Sequence, residues 1–422
     1  MTAMSKLRGN ADFMRLWSAQ AISAFGSRIT RTALPIIAVK TLGVSETVVG
    51  MLAALQLAPG VVLALFAGGF VDRGHKRRIL IGADVFRAVV VLSLTLAWAV
   101  GALSMIHVIV VGALVGAASA MFQITDVAYL PSLIPSDQLA EGNSKLGATE
   151  ALAEVTGPAS AGVLIAAFGA PIAVVIDAAS YVWSALMLGR IRAAEAPAKP
   201  PEPSTSVGWG ASALGRSTRD LRIGMRAVFR HPQVRPIVLS LLVWSITSGF
   251  FVGIYALFCL RELDLSESTF GIIVAMGGLG SLGGALVSRR LVRAIGVGWT
   301  LIASSSMSVA AALFIPLASG SHAMVIGFLC AHQFLSDGFA VAYTIQAVTL
   351  RQTVLPKDVL GRANAAIHVC TVGLLSITAI LAGTLAHLTT IRFAVWFGVV
   401  IGLVTPVTLW PLRKLRDMPS SR

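Results

Sequence analysis

Apolar stretches of about 20 residues, long enough to cross a bilayer, recur along almost the whole of this 422-residue chain. That recurrence leaves it one solvent to fold in, because lipid tolerates only structures that satisfy their own backbone polar groups. Spans are expected near 13–39, 47–71, 79–100, 104–130, 144–168, 171–189, 236–261, 268–288, 297–318, 321–349, 362–388 and 391–411. The expected fold class is all-α, twelve transmembrane helices in two six-helix bundles. Gly101–Leu103 and Gly169–Ala170 leave room only for tight helical hairpins.

Composition supports the same reading. Hydrophobic residues make up 56% of the chain, charged residues 12%, and the mean hydropathy is +0.82. A single soluble core could not hide that much apolar surface. The net charge of +14 would suggest nucleic acid in a soluble protein. Here the basic residues sit in short runs between spans, so no nucleic acid is expected. Of 33 Lys and Arg, 27 fall at the N-terminus and in the even-numbered gaps. Lys40, Arg261 and Arg392 alone fall in the odd-numbered gaps. That bias predicts both termini and the long central loop in the cytoplasm. The first apolar stretch is too long for a leader and holds Arg28 and Arg31, so it is expected to remain as the first span.

The halves align at a shift of 221 residues. Val44-Ser45-Glu46 with Gly50 matches Leu265-Ser266-Glu267 with Gly271. Pro135, Asp137, Leu139 and Asn143 match Pro356, Asp358, Leu360 and Asn364, and Ala161-Gly162 matches Ala382-Gly383. The expected domains are a bundle over 1–189, a linker over 190–235 and a second bundle over 236–422. Parallel repeats of this kind carry a solute site near the midplane. Within the linker, Ala196–Ser206 reads as a Pro-rich tether. Arg216–His231 reads as an amphipathic helix, with Leu221, Met225, Val228 and Phe229 on one face. Arg219, Arg222, Arg226 and Arg230 share another face, so the helix is expected to lie on the inner leaflet against anionic lipid.

Two motifs carry a resemblance. Between the second and third spans stand Gly69, Asp72, Arg73, Arg77 and Arg78, in the pattern G-x-x-x-D-R-x-x-R-R. This resembles the signature loop of the major facilitator superfamily, which implies a gating role. The second-half counterpart, Ser288 to Arg293, is degenerate. In the fifth span, Gly157, Pro158 and Gly162 set a helix-breaking proline among close-packing glycines. That run resembles the superfamily's exporter motif. Further runs, from Phe13-Met-Arg15-Leu-Trp17 to Leu360-Gly361-Arg362-Ala-Asn364-Ala365, are similar to the drug:proton antiporter-3 branch of macrolide and siderophore exporters. The resemblance implies proton-coupled efflux of a small molecule through the plasma membrane by a monomer. The rivals are an uncoupled facilitator or importer, and more remotely a membrane-embedded enzyme or sensor. No enzyme is expected: the chain has no H-E-x-x-H, no paired Asp-rich motif and no nucleotide-binding G-x-x-x-x-G-K-[ST] loop. No cofactor is expected, and Cys259, Cys330 and Cys370 lack any metal-ligand spacing.

Ionisable groups within spans are costly, so each needs a partner or a task. Arg28 and Arg31 share a face of the first span; Glu150 and Glu154, i and i+4, share a face of the fifth. They are expected to form a buried ion-pair cluster, with a glutamate binding the coupling proton and an arginine binding substrate or tuning the carboxylate. A purely structural lock is the alternative. Asp126, Asp337 and His368 are further proton or substrate candidates. Asp84 with Arg87 reads as a structural pair, and Asp177 as structural.

Overall fold

The computed structural model describes residues 7–135, 138–193 and 211–416; side chains at 8, 61, 64–73, 128, 140, 211–218, 220, 357 and 358 are outside the description. The tether Ala196–Ser206 and Asp137 therefore lie outside the described residues, as do the side chains of Gly69, Asp72, Arg73, Arg216 and Asp358.

The described residues group into two units: unit 1 is Met1–Gly43 with Leu55–Ala213, and unit 2 is Val44–Ala54 with Leu214–Arg422. Unit 1 holds α1 (Ala11–Ile36), most of α2 (Glu46–Arg73), α3 (Lys76–Ala99), α4 (Met105–Leu133), α5 (Leu139–Phe168) and α6 (Ala170–Gly189). In it α1 packs on α5 and α6, and α3 packs on α4 and α6. Unit 2 holds most of α7 (Ala211–Arg230), and α8 (Val234–Leu257), α9 (Glu267–Ala312), α10 (Phe314–Leu317), α11 (His322–Val354), α12 (Lys357–Leu388), α13 (Ile391–Gly402) and α14 (Thr405–Thr408). Here α9 packs on α11, and α8 packs on α12 and α13.

Each of the twelve expected spans falls on helix. The ends follow from local chemistry. Asn10 caps α1 by accepting the N–H groups of Asp12 and Phe13 at 3.1 and 3.0 Å. Ser104, Ser266, Ser321 and Thr390 cap α4, α9, α11 and α13 in the same way. Gly169, at φ +81°, reverses the chain between α5 and α6 in a conformation open to glycine. The repeat extends to helix irregularities. π-turns close α1 at Ile37–Thr41 and α8 at Phe258–Glu262, the same 221 residues apart. Glu46 and Glu267 open α2 and α9, and Ala170 and Ile391 open α6 and α13, at that shift again.

Two expectations need correction. The gap expected between the eighth and ninth spans is not a loop. Helix α9 runs through Arg289, Arg290 and Arg293 and breaks only at Gly296, φ +80°. A Cβ there would come within 3.0 Å of the Arg416 Cα, and the N–H groups of Val297 and Gly298 donate to the carbonyls of Arg416 and Leu415. The linker helix α7 does not turn its apolar face to lipid. Val228 is fully buried with Val234, Val238, Leu355, Ala363 and Ile367, and Gly224 lies against the Arg362 backbone. Arg219, Arg222, Arg226 and Arg230 stay exposed on the other face.

Candidate functional site

Helices α1 and α5 bring opposite charges together within unit 1. The Arg28 guanidinium donates to the Glu150 carboxylate at 2.5 Å and also pairs with Glu154. Its side chain is 10% exposed, whereas those of Glu150 and Glu154 are 58% and 48% exposed. The arginine is thus held in protein while both carboxylates present open edges. One guanidinium thus bridges two carboxylates that sit one helical turn apart on α5.

The Gly157-Pro158 run is part of this site. A Cβ on Gly157 would lie 2.7 Å from both Cβ and Cγ of Arg28. Glycine at that position gives the arginine room to cross α5 one turn beyond Glu154. Pro158 follows, inside the helix. Gly162 is about one turn further along the same helix, beside the buried Ala161. Arg31, expected in the cluster, is exposed and makes no ion pair among the described residues. Glu154, Glu150 and Arg28 nonetheless lie within its electrostatic reach.

The other candidates are dispersed. Asp126 on α4 accepts a hydrogen bond from the Gln20 amide on α1. Asp337 on α11 faces Gly277 of α9, where a Cβ would meet its carboxylate and, at 3.3 Å, the amide nitrogen of Gln333. The crossing is close because Gly280 and Gly284 on α9 lie against the backbone carbonyls of Phe334 and Gly338 on α11. His368 is exposed on α12. In the expected gating loop, Arg77 donates from Nε to the Leu188 carbonyl at 2.8 Å and from Nη2 to the Gly189 carbonyl, capping α6. Arg78 is exposed.

Asp84 and Arg87 form a buried pair. Arg87 also donates to the Ser119 hydroxyl at 3.3 Å and lies over the rings of Phe122 and Tyr181 at 4.5 and 4.3 Å. Asp177 is fully buried and accepts from the Ser180 hydroxyl at 3.1 Å; Gly26 leaves space for both. Gln20 as the partner of Asp126 was not foreseen. It is a neutral residue 106 positions away, and no sequence period links the two.

These helices, with ion pairs set among them, define a multi-pass membrane protein. Residues 16–374 match the Major Facilitator Superfamily, and the chain belongs to that family: it is a transporter, not an enzyme. No curated protein matches. Among solved structures, a bacterial homologue of the iron transporter ferroportin in an inward-facing state has a TM-score of 0.73 at 18% identity, over 97% of this chain and 100% of that one. A variant of the nucleoside transporter NupG gives 0.75 at 11% identity, over 96% and 100%. A bacterial homologue of the human lysosomal transporter Spinster gives 0.69 at 14% identity, over 96% and 98%. At these identities the likeness is one of fold.

Proposed function

We propose that this transporter exports a drug or small secondary metabolite in exchange for protons, by alternating access, as a member of the drug:proton antiporter-3 branch. In this reading it works as a monomer in the plasma membrane with both termini in the cytoplasm. The observation that carries the reading is the bridge from Arg28 to Glu150 and Glu154 beside Gly157-Pro158. Two half-exposed carboxylates compete for one guanidinium. Protonating one leaves a neutral pair with the other, so proton uptake and the geometry of α5 against α1 are coupled. Exposed Arg31 supplies a cationic contact for a substrate with an anionic or zwitterionic group. Asp126, Asp337 and His368 are secondary proton or substrate positions in the same scheme, and Gly69, Asp72, Arg73, Arg77 and Arg78 form its gate.

The test is a toxicity and accumulation panel in an efflux-deficient host, followed by proteoliposomes with an imposed pH gradient. Expression of the wild type should lower accumulation of at least one compound, and collapsing the gradient should abolish the effect. Glu154→Gln should remove gradient-driven transport while leaving substrate exchange at equal pH. Transport that survives gradient collapse would identify an uncoupled facilitator instead.

A further inference from the structure

The ends of α1, α3 and α6 in unit 1 border an open cavity of about 560 Å³ lined by Arg15, Arg77, Gly189, Arg190, Ile191 and Arg192. Four guanidiniums therefore border one hollow. The cavity is built by hydrogen bonds that leave two of them uncommitted. Arg77 is spent on the α6 carbonyls of Leu188 and Gly189. Asp12 accepts from Arg15 at 2.5 Å, from the Arg192 N–H at 3.1 Å and from the Ala193 N–H at 2.9 Å, pinning the chain after α6 to the start of α1. With those bonds made, Asp12 offsets one positive charge of four. Arg190 and Arg192 are exposed, and their guanidiniums have no partner among the described residues. Ile191 is 1% exposed and packs into the core with Leu7, Phe13, Leu16 and Leu188, so the floor is anchored in the core of unit 1.

We propose that this cavity binds the phosphate of an anionic phospholipid headgroup. Guanidiniums in a fork geometry match phosphate oxygens bidentately, and an anion relieves the repulsion among like charges held around one space. The lipid source follows from α6. Val182 and Leu186, 48% and 53% exposed, stand at four-residue steps before Arg190 on one helix face. An apolar track suited to acyl chains thus leads to the cationic rim, as expected where a basic pocket between transmembrane helices meets a headgroup. The site lies at the ends of α1, α3 and α6, apart from the Arg28 bridge.

The test uses the full chain in detergent, titrated with phosphatidylglycerol, with phosphatidylcholine of the same acyl chains, and with inorganic phosphate, read by native mass spectrometry and thermal unfolding. The wild type should retain phosphatidylglycerol in preference to phosphatidylcholine. The double variant Arg190→Gln, Arg192→Gln should bind phosphatidylglycerol about tenfold more weakly. Its lipid-free unfolding temperature should be unchanged, because neither side chain bonds to the protein. Arg289→Gln with Arg290→Gln, an equal loss of charge in unit 2, should leave binding intact. Equal phosphatidylglycerol binding by the wild type and the 190/192 variant would overturn the site. Inorganic phosphate that displaces the lipid and stabilises as strongly would overturn the lipid source in favour of a soluble phosphate.

Discussion

At the scale of single residues, the arginine bridge and the glycine beside it are one feature. The i, i+4 spacing of Glu150 and Glu154 made their common face legible, and opposite charge on the first span made Arg28 a natural partner. The exposure of Arg31 was not legible, since which side of a helix meets protein depends on tertiary packing. Gly157→Ala should cost about 1–3 kcal/mol, because Cβ and Cγ of Arg28 cannot swing away as a side-chain tip could. In an Arg28→Gly background, which removes both atoms, the same change should cost little, and a double-mutant cycle of thermal unfolding measures the difference. Asp12, just ahead of the first span, gives a pH test. Burial by itself raises its carboxyl pKa, but bonds from the Arg192 N–H, Arg15 and the Ala193 N–H outweigh that and hold it below the usual carboxylate range. A depressed folded pKa stabilises above the unfolded value and ceases to do so as pH falls through the folded one. The stability gap between wild type and Asp12→Asn should be flat from neutral pH to about pH 5 and narrow below about pH 4. A gap that widened on acidification would contradict this origin.

At the scale of helices, the approximate positions of the spans were readable from apolar runs, whereas the docking of each face was not. The basic run after the eighth span resembled a loop by composition, yet only Gly296 interrupts the helix there, since Arg and Leu are good helix formers. Helix α7 was recognisable as amphipathic, but an apolar stripe reads the same whether lipid or protein covers it, and here protein does. The α9–α11 crossing yields a paired prediction from neighbouring glycines. A Cβ at 284 would lie 1.9 Å from the Gly338 carbonyl oxygen, which is backbone and cannot rotate aside. Nothing stands within 4 Å of a Cβ at 283. Gly284→Ala should therefore force the helices apart and cost about 3 kcal/mol, the upper end for overpacking. Gly283→Ala should be neutral or stabilising by up to about 1 kcal/mol through helix propensity. Thermal unfolding in one detergent distinguishes the two, and equal effects would refute the assigned crossing.

At the scale of the whole molecule, the 221-residue repeat carries the architecture, and it reaches features that composition does not encode. The π-turns at Ile37–Thr41 and Phe258–Glu262 share almost no residue identity, yet they recur at that shift. What the repeat leaves out is the chemistry: Arg28, Glu150, Glu154 and Gly157 have Gly249, Thr371, Leu375 and Thr378 at the equivalent positions. A pattern of apolar runs reports where helices lie, while an ion pair depends on which two faces meet, so only the first was legible throughout. The proposed orientation in the membrane rests on a third property, the uneven placement of basic residues. Reporter fusions after Arg422 and within the linker near residue 200 should be fluorescent and phosphatase-inactive, the signature of the cytoplasmic side. Fusions at Gly101 and Gly320, which turn the chain at φ +71° and +97° between helices, should show the opposite signature. Replacing Lys76, Arg77 and Arg78 together with Gln removes three of the basic residues on which the proposed inside location of the second gap depends. Fusions in the first hairpins should then report mixed topology while those in unit 2 keep theirs, because positive charge near each helix end acts locally. Uniform inversion of every fusion would instead mean that this one loop orients the entire chain.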